Sequence, residues 1–271
     1  LGFKDVFYHN TGAYDSYGMT VPLNTQTHTV SNYRVPNFYT EIRMVFTNQM
    51  VVTPVRGAGR SEGVFAMERM IDFAARELKM DPVELRLKNL LKPEEFPLKT
   101  GIIGQDFVEG VLDSGDYLGN MKLCLDMIEY DKFRKEIQPK ARKEGKTLGI
   151  GVVAFTEGTA VGPYEGCRIT VSTNGKVTLA TSYSTQGQGH FTVFAQIVAD
   201  ALNVKLEDVK VITGDTGHFA WGAGTFASRG ATLVGTATYQ AAQKVRAKIF
   251  ATASKALGVP EDQVDLCEGS V

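Results

Sequence analysis

The spacing of apolar positions changes several times along the chain, and each change predicts an element. Residues 39–46, from Tyr39 through Ile42, Met44 and Phe46, alternate in the two-residue period of a half-buried strand. The rest of 1–60 reads as strand and loop punctuated by Gly12, Gly18 and Pro22. A turn at Asn48-Gln49 would join the strand to a second one over 50–53. Over 62–79 the period becomes helical, with Met67, Met70, Ile71, Ala74, Ala75 and Leu78 expected on the buried face. Asp81 can cap a further helix that carries Pro82 at its first position and Glu84 where a capping box would close, and Pro93 stops it after Leu91. Residues 96–119 read as glycine-rich loop, with Asp116 capping a helix that bears Met121, Leu125 and Ile128. A charged helix over 131–144 ends at Gly145.

A strand is expected at 148–156. Residues 167–172 and 176–183 form two more, joined by Thr173-Asn174-Gly175, whose Asn-Gly pair favours a tight hairpin turn. Phe191, Phe194, Ile197, Val198 and Leu202 recur at helical spacing, and 208–213 is again strand-like. A long helix ending near Leu257 is expected to bury Val234, Ala237, Ala241, Val245 and Ile249. Mixed strands and helices in this order predict an α+β chain, divided near Gly145 into residues 1–145 and 146–271.

Three glycine-rich stretches stand immediately before helices: Val55-Arg56-Gly57-Ala58-Gly59-Arg60, Thr185-Gln186-Gly187-Gln188-Gly189-His190, and Gly222-Ala223-Gly224-Thr225-Phe226-Ala227-Ser228-Arg229-Gly230. The first N–H groups of a helix lack intrahelical partners, and glycine lets another molecule approach them, so each junction suits an anion or a polar ligand. Three of them make one shared, multiply hydrogen-bonded ligand the economical reading. Neither a Gly-x-x-x-x-Gly-Lys-Ser/Thr loop nor a Gly-x-Gly-x-x-Gly helix start occurs, which argues against a nucleotide fingerprint.

Composition narrows the classes. With 271 residues, 43% hydrophobic and 22% charged, the chain can build two cores, and a net charge of −1 gives no footprint for nucleic acid or an anionic membrane surface. Apolar runs such as 150–155 are far too short for a membrane span, and no secretory leader opens the chain. Three widely spaced cysteines point to free thiols in a reducing, cytoplasmic setting, and four histidines without a His-x-x-x-His pair give no protein-ligated metal site. The start at Leu1 and the end just after a new strand-like run suggest a piece of something longer.

The three stretches, with Glu62-Gly63 after the first and Gly214-Asp215-Thr216 ahead of the third, resemble motifs of the molybdenum hydroxylase family, and Asn10-Thr11-Gly12-Ala13-Tyr14 is similar to that family's Gly-Ala-Tyr strand. The family comprises xanthine dehydrogenases, aldehyde oxidoreductases and aerobic carbon monoxide dehydrogenases, and the likeness is to the molybdopterin-binding subunit. The resemblance implies that 1–145 is the end of a first molybdopterin-binding domain and 146–271 the start of a second. It implies a molybdenum-molybdopterin cofactor, as such or as its cytosine dinucleotide, held by hydrogen bonds alone. Gln186, Gly187, Gln188 and Gly189 would approach the metal's oxo group and the pterin. Thr225, Ala227, Ser228 and Arg229 would bind pterin and phosphate, and Arg56 would be the catalytic arginine facing the substrate. The implied reaction hydroxylates a small aromatic heterocycle or aldehyde with oxygen from water, and electrons leave through 2Fe-2S and FAD groups on separate iron-sulfur and flavin subunits. The family's base glutamate belongs to a motif past residue 271, so 1–271 alone is expected not to turn over without the remaining molybdenum-subunit segments. Gly57 stands where carbon monoxide dehydrogenases carry a copper-bearing cysteine, and Ala58 where xanthine-type members have phenylalanine. Both departures argue against those two specificities.

Plainer readings compete for the same residues. Arg56 and Arg229 also suit ion-pair partners, Gln188 a loop-bracing amide, Asp215 a turn former and His190 a structural histidine. A non-catalytic cofactor-binding or assembly protein on the same fold is the alternative function, and a plain sugar- or nucleotide-binding module a third.

Overall fold

The computed structural model describes residues 2–104, 107–160, 162 and 164–271. The chain separates into two compact units, Leu1–Glu157 and Gly158–Val271.

In the first unit, β1 (Phe3–Gly12) lies parallel to β2 (Phe38–Phe46), with Phe3 opposite Phe38 and His9 opposite Met44. Parallel neighbours need a crossover, and here it contains a helix, α1 (Thr20–Thr29), that the pattern of apolar residues does not announce. Its buried face is largely polar, with Asn24, Thr25, His28 and Thr29, and it packs on α2 (Arg60–Glu77). The close approach explains two glycines, because a Cβ at Gly59 would overlap Val21 O and one at Gly63 would overlap Thr25 O. Residues 50–53 do not extend β2 as a hairpin. Instead Val52 N donates to Thr11 O (3.2 Å) and Ala13 N to Gln49 O (2.9 Å), because the end of β1 offers those partners first.

Residues 60–77 are helical as expected, but the buried stripe is Gly63, Met67, Ile71 and Ala75, with Met70, Ala74 and Leu78 exposed. The stripe is shifted because Glu68 is buried too. It accepts from Tyr33 Oη (2.6 Å) and from Arg86 Nε (2.7 Å), and Arg86 also reaches Asp72 (2.9 Å). Arg86 lies on α3 (Pro82–Asn89), which Asp81 caps by accepting from Val83 N (2.8 Å); Glu84 closes no box and pairs with Lys88 instead. Within 96–119, expected as loop, β3 (Leu98–Ile103) and β4 (Glu109–Leu112) pair antiparallel. Asp116 caps α4 (Tyr117–Met127) as expected. A short α5 (Tyr130–Lys132) continues through a π-helical turn, Phe133–Ile137, into α6 (Gln138–Lys143). Residues 148–156 form no strand, since no neighbour supplies a ladder; Val152 and Ala154 pack on the core of Tyr33, Met67, Ile71, Leu90 and Met121.

In the second unit, β5 (Cys167–Val171) and β6 (Val177–Thr181) form the expected antiparallel hairpin, with Gly175 at φ +82° in the turn. Next comes α7 (His190–Leu202), and then β7 (Val209–Thr213), which pairs parallel to β6. A π-helical turn, Gly230–Gly235, leads into α8 (Thr236–Leu257), which Gly258 ends in the left-handed conformation. The core is Val177, Leu179, Tyr183, Phe194, Val198, Leu202 and Val234. Along α8 the fully buried positions are Thr238 and Ala242, one residue on from the expected Ala237 and Ala241, while Val245 and Ile249 are partly covered. No described helix is long and apolar enough to cross a membrane.

Candidate functional site

The second glycine stretch folds as the pattern requires. After β6 the chain turns through Thr185–Gly189 and enters α7 with Gly189 left-handed (φ +80°) and no side chain capping the helix. Gly187 (φ +107°) is also left-handed, and a Cβ on either glycine would meet no atom of the described residues within 4 Å, so open space lies in front of this backbone among them. Gln188 Oε1 accepts from Gln186 N (2.6 Å), and Gln188 Nε2 donates to Gln186 Oε1 (3.1 Å). The two amide side chains therefore brace each other on an exposed turn. His190 is buried at the helix start, its ring stacked on Phe194 (5.3 Å, 17°) and tilted against Tyr183 (4.9 Å). Burial pushes its pKa below the usual 6.5, so it serves as a neutral packing residue.

The third stretch joins the second. Gln186 Nε2 donates to Thr225 O (3.4 Å), and Thr225 Oγ1 donates to Ser184 O. The turn at Gly214 touches the same point, since a Cβ there would lie 2.6 Å from Ser184 Oγ. Asp215 shapes that turn by accepting from Gly217 N (2.8 Å). Ala227 and Ser228 are both left-handed (φ +52° and +53°), with Ser228 exposed and Ala227 half-buried. Arg229 is turned inward: it is wholly buried, its Nη2 is 2.9 Å from Glu165 Oε1, and its Nη1 donates to Gly224 O (3.0 Å). Its guanidinium is thus committed to a carboxylate, and any role toward a ligand runs through the loop it holds. Gln186, Gly187, Gln188, Gly189, Thr225, Ala227 and Ser228 fall on adjoining turns of the second unit, around Ser184. Glu165, which no sequence motif marks, stands behind them.

The first stretch belongs to the first unit. Gly57, Ala58 and Gly59 are successively left-handed (φ +109°, +49° and +98°), and Asn24 Nδ2 fixes the turn by donating to Ala58 O (3.0 Å). A cysteine at position 57 would have to adopt that left-handed backbone, with its Cβ 3.2 Å from Ser61 Oγ, so the turn favours glycine there. Arg56 is exposed and forms no ion pair with a described residue, unlike its buried neighbour Arg60, 3.9 Å from Glu157. Among the described residues no group of three His, Cys, Asp or Glu side chains could hold a metal ion. The donors here are amides, hydroxyls and backbone N–H groups beside open space, a set that fits a ligand gripped by hydrogen bonds.

The adjoining glycine turns of the second unit offer a hydrogen-bonding surface, and comparison with known families says to which class such a chain belongs. A model described as molybdopterin cofactor-binding domain matches residues 123–271, and a second of the same description matches 1–90. The chain belongs to this family of molybdopterin cofactor-binding domains. It is also similar, over most of its own length, to longer oxidoreductase chains. It is 34% identical to the 6-hydroxypseudooxynicotine dehydrogenase complex subunit gamma of Paenarthrobacter nicotinovorans, over 100% of this chain and 34% of that one. It is also 34% identical to the carbon monoxide dehydrogenase large chain of Hydrogenophaga pseudoflava, over 86% of this chain and 30% of that one. Among solved structures, quinoline 2-oxidoreductase from Pseudomonas putida 86 matches with a TM-score of 0.87 at 30% identity, over 97% of this chain and 34% of that one. The chain spans about a third of the length of these relatives.

Proposed function

We propose that this chain is the cofactor-gripping part of an oxidoreductase that hydroxylates a small aromatic heterocycle, or an aldehyde, with water as the oxygen source. The observation that carries the reading is the junction around Ser184, where two glycine turns meet and leave exposed backbone and amide side chains in front of open space. The heterocycle is favoured over the aldehyde by similarity at 31% identity to a nicotine 6-hydroxylase large subunit and at 30% to quinoline 2-oxidoreductase.

The molybdenum-pterin group, when bound, supplies the two-electron redox chemistry. The chain's own residues bind and orient it. The N–H group of Gly189, at the positive end of α7, and the carboxamide of Gln188 suit its oxygens. Thr225, Ala227 and Ser228 offer hydroxyl and backbone groups to the pterin and its phosphate, as a mononucleotide-free pterin or as the cytosine dinucleotide. Arg56 supplies a fixed positive charge against negative charge developing on the substrate. Residues 1–145 are read as the end of one molybdopterin-binding domain and 146–271 as the start of the next; that boundary lies between the start of the second family match at 123 and the packing division after Glu157. Electrons would pass to 2Fe-2S and FAD on iron-sulfur and flavin subunits of a cytoplasmic complex; the subunit-gamma relative is itself named as part of a complex. Elemental and pterin analysis of the full subunit in its complex tests the reading. Molybdenum and pterin near one per chain are expected, and a complex devoid of both overturns it.

A further inference from the structure

We propose that Glu165 is a positioning residue for the third glycine turn, holding it from behind in the shape the ligand meets. The proposal rests on the reading of that turn as part of a molybdopterin site. The side chains of Glu165 and Arg229 are both 0% exposed, and among the described residues the carboxylate's polar contacts go to three places. Its Oε1 accepts from Ala223 N (3.0 Å) and Gly224 N (3.2 Å) and faces Arg229 Nη2 (2.9 Å). Its Oε2 accepts from Ser182 Oγ (3.1 Å), immediately beyond the end of β6.

One carboxylate therefore ties the beginning of the turn, the end of the turn and a core strand together. Arg229 closes the ring by donating to Gly224 O (3.0 Å), with its guanidinium 4.5 Å over the Phe226 ring. Gly222 is required by space, because a Cβ there would overlap Ser182 Oγ and come within 2.7 Å of Glu165 Oε2. The neighbouring residues Tyr164 and Trp221 stack (4.2 Å, 14°), fastening the same two segments a second time.

Energetics separate positioning from mere stability. Desolvating two charges costs several kcal/mol each, roughly what their attraction returns, so an apolar pair of similar volume would hold the fold as well. What the apolar pair could not do is fix the amides of Ala223 and Gly224 and the carbonyl of Gly224 at set points. Those groups lead directly into Thr225, Ala227 and Ser228. Glu165 touches no ligand in this scheme, since its oxygens are buried and occupied.

The test uses the full subunit in its complex, with two variants: Glu165→Leu, which leaves Arg229 buried without its carboxylate, and the charge-neutral double variant Glu165→Leu/Arg229→Met. Molybdenum and pterin per chain are measured beside the melting temperature and the far-ultraviolet circular dichroism. The double variant is expected to fold with a melting temperature near that of the wild type yet retain about tenfold less cofactor, the scale on which supporting residues act on metal sites. A folded double variant as fully loaded as the wild type overturns the proposal. So does a double variant that fails to fold, because the pair is then a structural element of the unit at large. A wild-type complex without molybdenum instead overturns the functional reading beneath it.

Discussion

Arg56 and His190 stand at opposite ends of what a charged side chain can do. Arg56 is exposed, with no described carboxylate to neutralise it, and follows a proline-led approach to a strained turn. Removing such a charge matters only where charge develops during reaction, so Arg56→Met is expected to lower kcat/KM by about 100-fold. Cofactor content and melting temperature should stay as they are, and steady-state kinetics on a heterocyclic substrate beside molybdenum analysis would show it. Unchanged kcat/KM would return Arg56 to the solvated surface. His190 is held neutral by burial, with its pKa below 6.5. As pH falls below 6.5 the unfolded chain takes up a proton that the folded chain refuses, so stability is complete above that pH and declines as pH falls toward the lowered folded value. His28 is shifted the same way, also by burial, and adds a slope of the same sign. His190→Phe should therefore flatten, without abolishing, the fall in urea midpoint between pH 7 and pH 5. An unaltered slope would mean that the ring is solvated.

At the scale of elements, the glycines of the motifs divide into two jobs. Gly63 sits where α1 and α2 touch, and a methyl group there would overlap Thr25 O and lie 3.1 Å from Thr29 N, both backbone atoms that cannot yield. Gly63→Ala is expected to cost about 1–3 kcal/mol by overpacking, read as a lowered denaturant midpoint at constant m-value. Gly187→Ala meets no neighbour and should cost only the left-handed strain, about 1–2 kcal/mol, while obstructing the space before the turn. Equal midpoints for Gly63→Ala and wild type would mean that the helices part easily. Periodicity revealed β2, the β5–β6 hairpin, α2, α3, α4 and α7, because each buries an apolar stripe or carries a cap. It missed α1, whose buried residues are Asn24, Thr25, His28 and Thr29, and it read the glycines of β3 and β4 as loop although Lys99 and Val111 pair across them. It placed the face of α2 only in part: Met67, Ile71 and Ala75 are buried as expected, but Met70, Ala74 and Leu78 are exposed, and Glu68 is buried where Arg86 holds it, a partner that no local spacing announces. The site divides in the same way. Glycine turns before helices are visible in a sequence, whereas the Glu165–Arg229 pair joins residues far apart in the chain and depends on the fold being known.

At the scale of the molecule, each unit has its own interior, and the two lists of core residues share no member. Leu90 (2% exposed) belongs to the first and Leu179 (0% exposed) to the second. Truncating either to alanine removes buried methyl groups and leaves a cavity, at about 2–5 kcal/mol each. If the cores are separate, the cavity in one leaves the packing of the other untouched, and the two losses add to within about 0.5 kcal/mol. Chemical denaturation of the full subunit carrying Leu90→Ala, Leu179→Ala and both together measures that sum directly. The turns around Ser184 belong to the second unit and rest on its core. Softening the second core with Leu179→Ala, directly opposite Val211 in the sheet that leads to Ser182 and Ser184, should loosen the turns that grip the cofactor. Softening the first with Leu90→Ala should leave that grip alone. A coupling energy above about 1 kcal/mol between the two substitutions would mean that the interiors act as one.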